Sequence, residues 1–362
     1  MASLHDDGLL IAANLHDDVG IGPWENNYTY MAKLMQTPNG TNVPFTVCTN
    51  TTYTNALEDV VLGSLESGRI GGVLGEGGMD FWWIDWQQGG NHGGCAGLKQ
   101  NPTIWLNKIR CTDAKRRAAA LAELEGREIV PGTASSDVGR NMVLARWGGM
   151  GTHRYQVGFS GDVKELSWEN LAYQPYFTLT AANVAYSYWS HDIEQPAFDY
   201  EMGVRWIQWA AVSPVFRSHE RGMSGGSCAD QLQDGQARSQ CSIVKPWNVP
   251  MQYQDANRAA MQRRVQLTPY IYNAARQAYD TGIGLVRPMY YEHPADKMAY
   301  SATPDGQFSQ FYFGDDMFAA PVVQQSANGS APMSFSTGMT TTKVWLPEGV
   351  WVEESTSVVH QG

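Results

Sequence analysis

Gly78-Met79-Asp80-Phe81-Trp82-Trp83-Ile84-Asp85-Trp86-Gln87-Gln88-Gly89 joins an aromatic run to a lone carboxylate. Its apolar run, 81–84, is aromatic and β-branched and lies near glycines on both sides. That is the signature of a strand buried on both faces, as in a parallel sheet. A single carboxylate, Asp85, ends the run. A charge there must be solvated, paired or catalytic, because burying it alone is prohibitive. In a (β/α)8 barrel, chemistry is done at the C-terminal ends of the strands. An aspartate that merely caps the next helix would look the same locally, so the rest of the chain decides.

The same rhythm recurs. Residues 9–15 read as a buried strand ending in His16-Asp17-Asp18, and a helix is expected over about 54–67. Residues 142–147 form the next strand, carrying Arg146, and Tyr155-Gln156-Val157-Gly158-Phe159 leads into Ser160-Gly161-Asp162. Helix is expected over 168–183, then a strand over 185–189 that ends in Ser190-His191-Asp192. Helix over 202–211 and strand over 214–216 follow, ending in Arg217-Ser218-His219. One long amphipathic helix is expected over about 254–280, and a strand over 285–290. Strand–helix alternation across 9–290 argues a parallel α/β fold, a (β/α)8 TIM-type barrel. From residue 311 the pattern changes to short β segments, the start of a C-terminal all-β domain. The expected domains are 1–305 for the barrel, with loop insertions at 22–54, 88–140 and 222–250, and 306–362 for the β domain.

A chain of 362 residues suits one barrel with attachments. Charged residues make up 17% and aromatic residues 11%, with 13 Trp and 17 Tyr, an excess that suits a sugar-binding cleft as well as a core. The net charge of −11, without a basic patch, argues against a nucleic-acid partner. No run of eighteen apolar residues occurs, so no spanning helix is expected. The opening Met1-Ala2-Ser3-Leu4-His5-Asp6-Asp7 lacks the basic start and apolar core of a signal peptide. Five cysteines form no CxxC pair; Cys95/Cys111 and Cys228/Cys241 are the expected candidates for disulfides. Sequons at Asn27, Asn39, Asn50 and Asn328 would permit glycosylation in a secretory or lysosome-like compartment.

Strand ends repeatedly deliver polar residues: His16 or Asp18, Asp85, Arg146, Asp192 and His219, with Asp162 in a glycine-flanked loop. Asp85 and Asp162 suit two-carboxylate glycosidase chemistry, in which one attacks the anomeric carbon and the other protonates the leaving oxygen. For retention the two stand ~5–5.5 Å apart. A metal-dependent reading, with His16, Asp18, Asp192 and His219 as ligands, lacks the clustered spacing of a strong motif. No GxSxG elbow and no GxGxxG directly after a strand is present, so serine-hydrolase and dinucleotide readings lack support.

The ordered motifs resemble glycoside hydrolase family 31, the family of retaining α-glucosidases and α-xylosidases. Residues 81–85 are similar to its nucleophile strand, and 146–162 to its acid/base segment, with an arginine sixteen residues before the acid. Trp189-Ser190-His191-Asp192-Ile193 resembles its sugar-binding aspartate motif, and 214–219 its next strand. Residues 313–322 and 344–351 are similar to the join between barrel and β domain. The resemblance implies Asp85 as nucleophile and Asp162 as acid and then base. It implies Arg146, Asp192 and His219 as holders of sugar hydroxyls, with Trp83 and Trp189 lining the site and His16 in the substrate-binding set. The implied substrate is an α-glycoside, and no cofactor or metal is required. Two departures bear on substrate identity: Asp85 is followed by Trp86-Gln87-Gln88 where many members have Met-Asn-Glu, and Glu194-Gln195-Pro196 stands where two glycines usually follow. The resemblance further implies that an N-terminal β-sandwich and the first two barrel strands are missing, so that this length of chain is expected to be poorly stable and inactive alone. Alternatives of the same fold are a transglycosylase or lyase; from another class, an inactive carbohydrate-binding scaffold.

Overall fold

The computed structural model describes residues 2–63, 65, 78–85, 95, 103–112, 142–146, 151–155, 157–163, 166–193, 199–219, 245–301, 309–326 and 340–362. Trp86 to Gln88, most of the insertions expected over 88–140 and 222–250, Glu194 to Pro196, Cys228, Cys241 and the Asn328 sequon lie outside them. The chain divides into two compact units, Met1–Phe159 and Ser160–Gly362.

The first unit opens with a short helix, α1 (Ala2–Asp6), then β1 (Ala12–Leu15), α2 (Tyr28–Leu34) and α3 (Thr51–Ala56), which runs on as one π-helical turn, Leu57–Leu62. Strand β2 (Phe81–Ile84) and a helix over 103–112, α4, lead to β3 (Val143–Arg146) and β4 (Val157–Phe159). The four strands pair in parallel in the order β1-β2-β3-β4. The register aligns Leu15 with Ile84 and Ile84 with Ala145. His16, Asp85 and Arg146, each the next residue, therefore stand in one row at the C-terminal edge of the sheet. An Asp85 N–H donated to the Leu15 carbonyl at 3.0 Å fixes that row.

Three expectations need correction here. Residues 22–54 are not a structureless loop: they carry α2 and α3 and an antiparallel bridge, Ile21 to Val43. Tyr28, Met31 and Ala32 bury one face of α2, and the Asn50 side chain caps α3 by accepting from the Tyr53 N–H at 3.1 Å. The strand expected over 9–15 begins only at Ala12 and alternates exposed with half-buried residues, with Leu9 and Leu10 exposed. Cys95 bonds to Cys48 rather than Cys111, which is buried.

The second unit places α5 (Trp168–Ala182), β5 (Trp189–Ser190) and α6 (Tyr200–Ala211) before α7 (Met251–Gln266) and α8 (Thr268–Thr281). Ser167 and Asp199 cap α5 and α6, accepting from Asn170 N–H and Met202 N–H. Trp206, Ile207, Trp209 and Ala210 of α6 are buried in the unit's main core with Leu171, Val286, Phe311 and Phe313. A fully buried large side chain contributes about 1.5–3 kcal/mol, so these residues anchor α6 firmly in the unit. The helix expected over 254–280 is two helices, because Pro269 in the first turn of α8 supplies no N–H to extend α7. The strand expected over 185–189 shrinks to Trp189 and Ser190, and Ala185 takes a left-handed turn conformation instead. Val215 makes only an isolated parallel bridge to Ser190.

Strand β6 (Val286–Arg287) pairs antiparallel with β7 (Phe311–Phe313), and β7 with β8 (Met317–Ala319); β9 (Val350–Val352) and β10 (Val359–Gln361) form a hairpin. The β7–β8 turn requires a glycine at 314, where φ is +68° and a Cβ would overlap the Tyr270 hydroxyl. That hydroxyl donates to the Phe313 carbonyl at 2.8 Å and accepts from Asp316 N–H at 3.1 Å. Gly314→Ala is expected to cost about 1–3 kcal/mol through strain and overpacking, measured by chemical denaturation; an unchanged midpoint would mean that the turn is not constrained as drawn.

Candidate active site

In the first unit the row at the sheet edge becomes a charged cluster around Asp85. Arg146 pairs with Asp85 Oδ1 through its Nε, and both side chains are buried. His16 Nε2 lies 3.1 Å from Asp85 Oδ2, and the Asn14 amide makes a long contact, 3.5 Å, to the same oxygen. Burial pushes the Asp85 carboxyl up. The hydrogen bond and charge of Arg146, helped by His16 and Asn14, outweigh it and hold the group below its ordinary value. Asp85 is thus kept as an anion in a buried place. Trp83 is half-buried, edge-on to Phe159 at 5.5 Å, and the Arg146 guanidinium lies over the same Phe159 ring. Asp17, beside His16, is tied with Glu58 to the buried Arg110 of α4.

The second unit assembles a different cluster. Parallel bridges Ser190–Val215 and Ile193–Ser218, and a His219 N–H donated to the Ile193 carbonyl at 2.9 Å, set two chain segments side by side. Asp192 and Arg217 meet there, pairing through Oδ1 and Nη2, while Arg217 Nε donates to Ser190 Oγ at 2.9 Å. His219 Nε2 is 3.6 Å from Asp192 Oδ2. Asp192 is fully buried, and burial raises its pKa more than Arg217 and His219 lower it; Asp162 adds to the rise. Ligand atoms of Asp162, Asp192 and His219 all lie within 4.8 Å of one another.

Asp162 is exposed and lines a cleft of about 370 Å³ with Ser160, Asn170, Tyr173, Phe177 and Trp189. Trp189 is buried against Tyr186 and Phe177, both ring centroids at 4.8 Å. His191 is a buried strut: its Nδ1 lies 2.7 Å from Gln174 Oε1 and its Nε2 3.1 Å from the Thr178 hydroxyl oxygen. Burial, with Arg217 adding, depresses its pKa to about 3, so it is neutral.

The sequence-derived residues therefore fall into two groups: His16, Trp83, Asp85 and Arg146 in the first unit, Asp162, Trp189, Asp192 and His219 in the second. Asn14 and Arg217 were missed as site residues. Each had a signal: an amide inside an apolar strand, and a cation one bridge away from the aspartate motif.

Polar strand ends on parallel strands define an α/β protein of the barrel type. Residues 64–274 match the glycosyl hydrolases family 31 TIM-barrel domain and 282–362 the glycosyl hydrolase family 31 C-terminal domain. The chain belongs to glycosyl hydrolase family 31, and its fold is a TIM-barrel domain followed by that family's C-terminal domain.

Neutral alpha-glucosidase AB of Mus musculus is 28% identical over 234 residues, covering 63% of this chain and 21% of the relative. The 1,6-alpha-glucosyltransferase of Sporosarcina globispora is 31% identical over 153 residues, 42% of this chain and 9% of the relative. An alpha-xylosidase of Emericella nidulans is 28% identical over 195 residues, 52% of this chain and 21% of the relative. The chain thus spans about a fifth, or less, of the length of these curated relatives. Among solved structures, a Flavobacterium johnsoniae GH31 dextranase superposes with TM-score 0.65 at 20% identity, covering 99% of this chain and 42% of that one. The cycloalternan-degrading enzyme of Trueperella pyogenes gives TM-score 0.67 at 18% identity, covering 99% and 46%. Among the described residues no helix is long and apolar enough to cross a membrane.

Proposed function

We propose that this chain carries the catalytic centre of a retaining hydrolase of α-glycosides. The observation that carries the reading is Asp85: a buried carboxylate at the end of a parallel strand, held ionised by Arg146 and His16 in a chain of this family. Asp85 attacks the anomeric carbon and forms a covalent glycosyl-enzyme. Asp162 protonates the departing oxygen and then deprotonates the incoming water. Asp192 and His219 hold sugar hydroxyls by charge-assisted hydrogen bonds, Trp83 and Trp189 offer faces for sugar C–H groups, and His16 contacts the sugar beside the nucleophile. Arg146 keeps Asp85 ionised and aimed, and it joins Asp192 and His219 in holding sugar hydroxyls. Glycosyl transfer to a sugar acceptor is the second reading, favoured by the glucosyltransferase among the similar proteins.

Proton NMR of the first sugar released from a panel of α-glucosides and α-xylosides tests the mechanism. The α anomer is expected first. Initial β anomer would show inversion, and release from none of the substrates would count against hydrolysis.

Asp85 must be ionised to attack, so its pKa governs the acid limb of kcat/KM. Arg146→Met leaves the burial and removes the opposing charge, so the acid limb is expected to move up by about 1–3 pH units. A pH–rate profile with an unmoved acid limb would separate Arg146 from Asp85.

A further inference from the structure

Asp192 presents one buried carboxylate oxygen that a ligand other than a sugar hydroxyl can also use. Its Oδ1 is taken by Arg217, whereas Oδ2, buried to the last square ångström, has no hydrogen-bond partner among the described residues. A buried carboxylate oxygen left this way is costly. The imidazole of His219 faces it at 3.6 Å, and the exposed Asp162 completes a trio within 4.8 Å. We propose that Asp162, Asp192 and His219 form a reversible binding site for a zinc-class divalent cation.

Geometry selects that class. Zinc binds imidazole nitrogen and carboxylate oxygen at roughly 2.0–2.2 Å, and in a tetrahedron two such ligand atoms stand about 3.4 Å apart. The Asp192 Oδ2 to His219 Nε2 separation of 3.6 Å is already close to that edge. Asp162, on an exposed loop, closes the third edge by a small side-chain movement, and water takes the fourth position. Calcium is a poor fit, because it calls for about 6–8 oxygen ligands and this trio offers two carboxylates and a nitrogen. The ligands include the proposed acid/base and both proposed hydroxyl-holding residues of this unit. A bound ion and a bound sugar therefore exclude one another. Zinc is expected to act as a competitive inhibitor, raising KM without changing kcat; this last consequence alone rests on the hydrolase reading.

The test reads the metal directly, in the full chain and without glycoside. Titration with CoCl2 is expected to give one saturable, intense tetrahedral d–d spectrum that ZnCl2 displaces. His219→Gln and Asp162→Asn, both at accessible positions, are expected to weaken the affinity roughly 10- to 100-fold or more, the scale that even outer-sphere partners reach, with circular dichroism unchanged. Wild-type protein that binds neither ion saturably, or variants that bind with unaltered affinity, would overturn the proposal. Failure of the hydrolase reading would leave these spectra untouched.

Discussion

Asp85→Asn is expected to lower kcat by roughly four to six orders of magnitude, the scale on which loss of a reacting side chain is felt in covalent catalysis. The amide keeps the shape of the side chain but has no negative charge to attack the anomeric carbon. It also leaves the buried Arg146 guanidinium without its anion, and breaking a buried pair costs about 3–5 kcal/mol. The two effects must be separated by scaling turnover to folded protein. Glu58→Gln supplies the comparison, because Glu58 is an equally buried acid in an ion pair of the same unit, outside the proposed machinery. It should lower the denaturation midpoint while kcat per folded molecule stays within a few-fold of wild type. An Asp85→Asn variant with kcat within tenfold of wild type would remove Asp85 from the chemistry.

Arg110→Met is expected to be the most destabilising single change in the first unit. Arg110 is 2% exposed and its guanidinium serves both Asp17 and Glu58. Removing it strands two buried carboxylates and should cost about 3–5 kcal/mol, read as a lowered urea midpoint. Replacing all three by apolar or neutral side chains of similar volume, Arg110→Met with Asp17→Asn and Glu58→Leu, should recover most of that loss, because the attraction only offsets desolvation. A loss under about 1 kcal/mol for Arg110→Met, the size of an exposed pair, would show that the triad is hydrated rather than buried.

Much of this was legible in the chain. The strand at 81–84 declares itself by its residues, and the turn from apolar to charged at Asp85 marks the edge where sheet geometry then lines up His16 and Arg146. Helices α5 and α6 were readable from apolar spacing, and their Ser167 and Asp199 caps stand at the starts. What stayed hidden depends on contacts between residues far apart. The Cys48–Cys95 bond joins positions 47 residues apart, which no local spacing reveals. Helices α2 and α3 are too short to show a clear period inside a stretch rich in Gly, Pro, Asn and Thr. The break before α8 was marked by Pro269, but the periodicity on both sides masked it. Arg217 looked like an ordinary strand-end cation; only the parallel bridges bring it against Asp192.

Covalent trapping shows whether Asp85 is the nucleophile of a retaining mechanism. The protein is incubated with a panel of 5-fluoro-α-glycosyl fluorides, whose glycosyl-enzymes turn over slowly, and the label is located by peptide mass spectrometry. A single label on Asp85 is expected, with the fastest-reacting sugar naming the substrate class. A label on any other residue, or none with any sugar in folded protein, would contradict it.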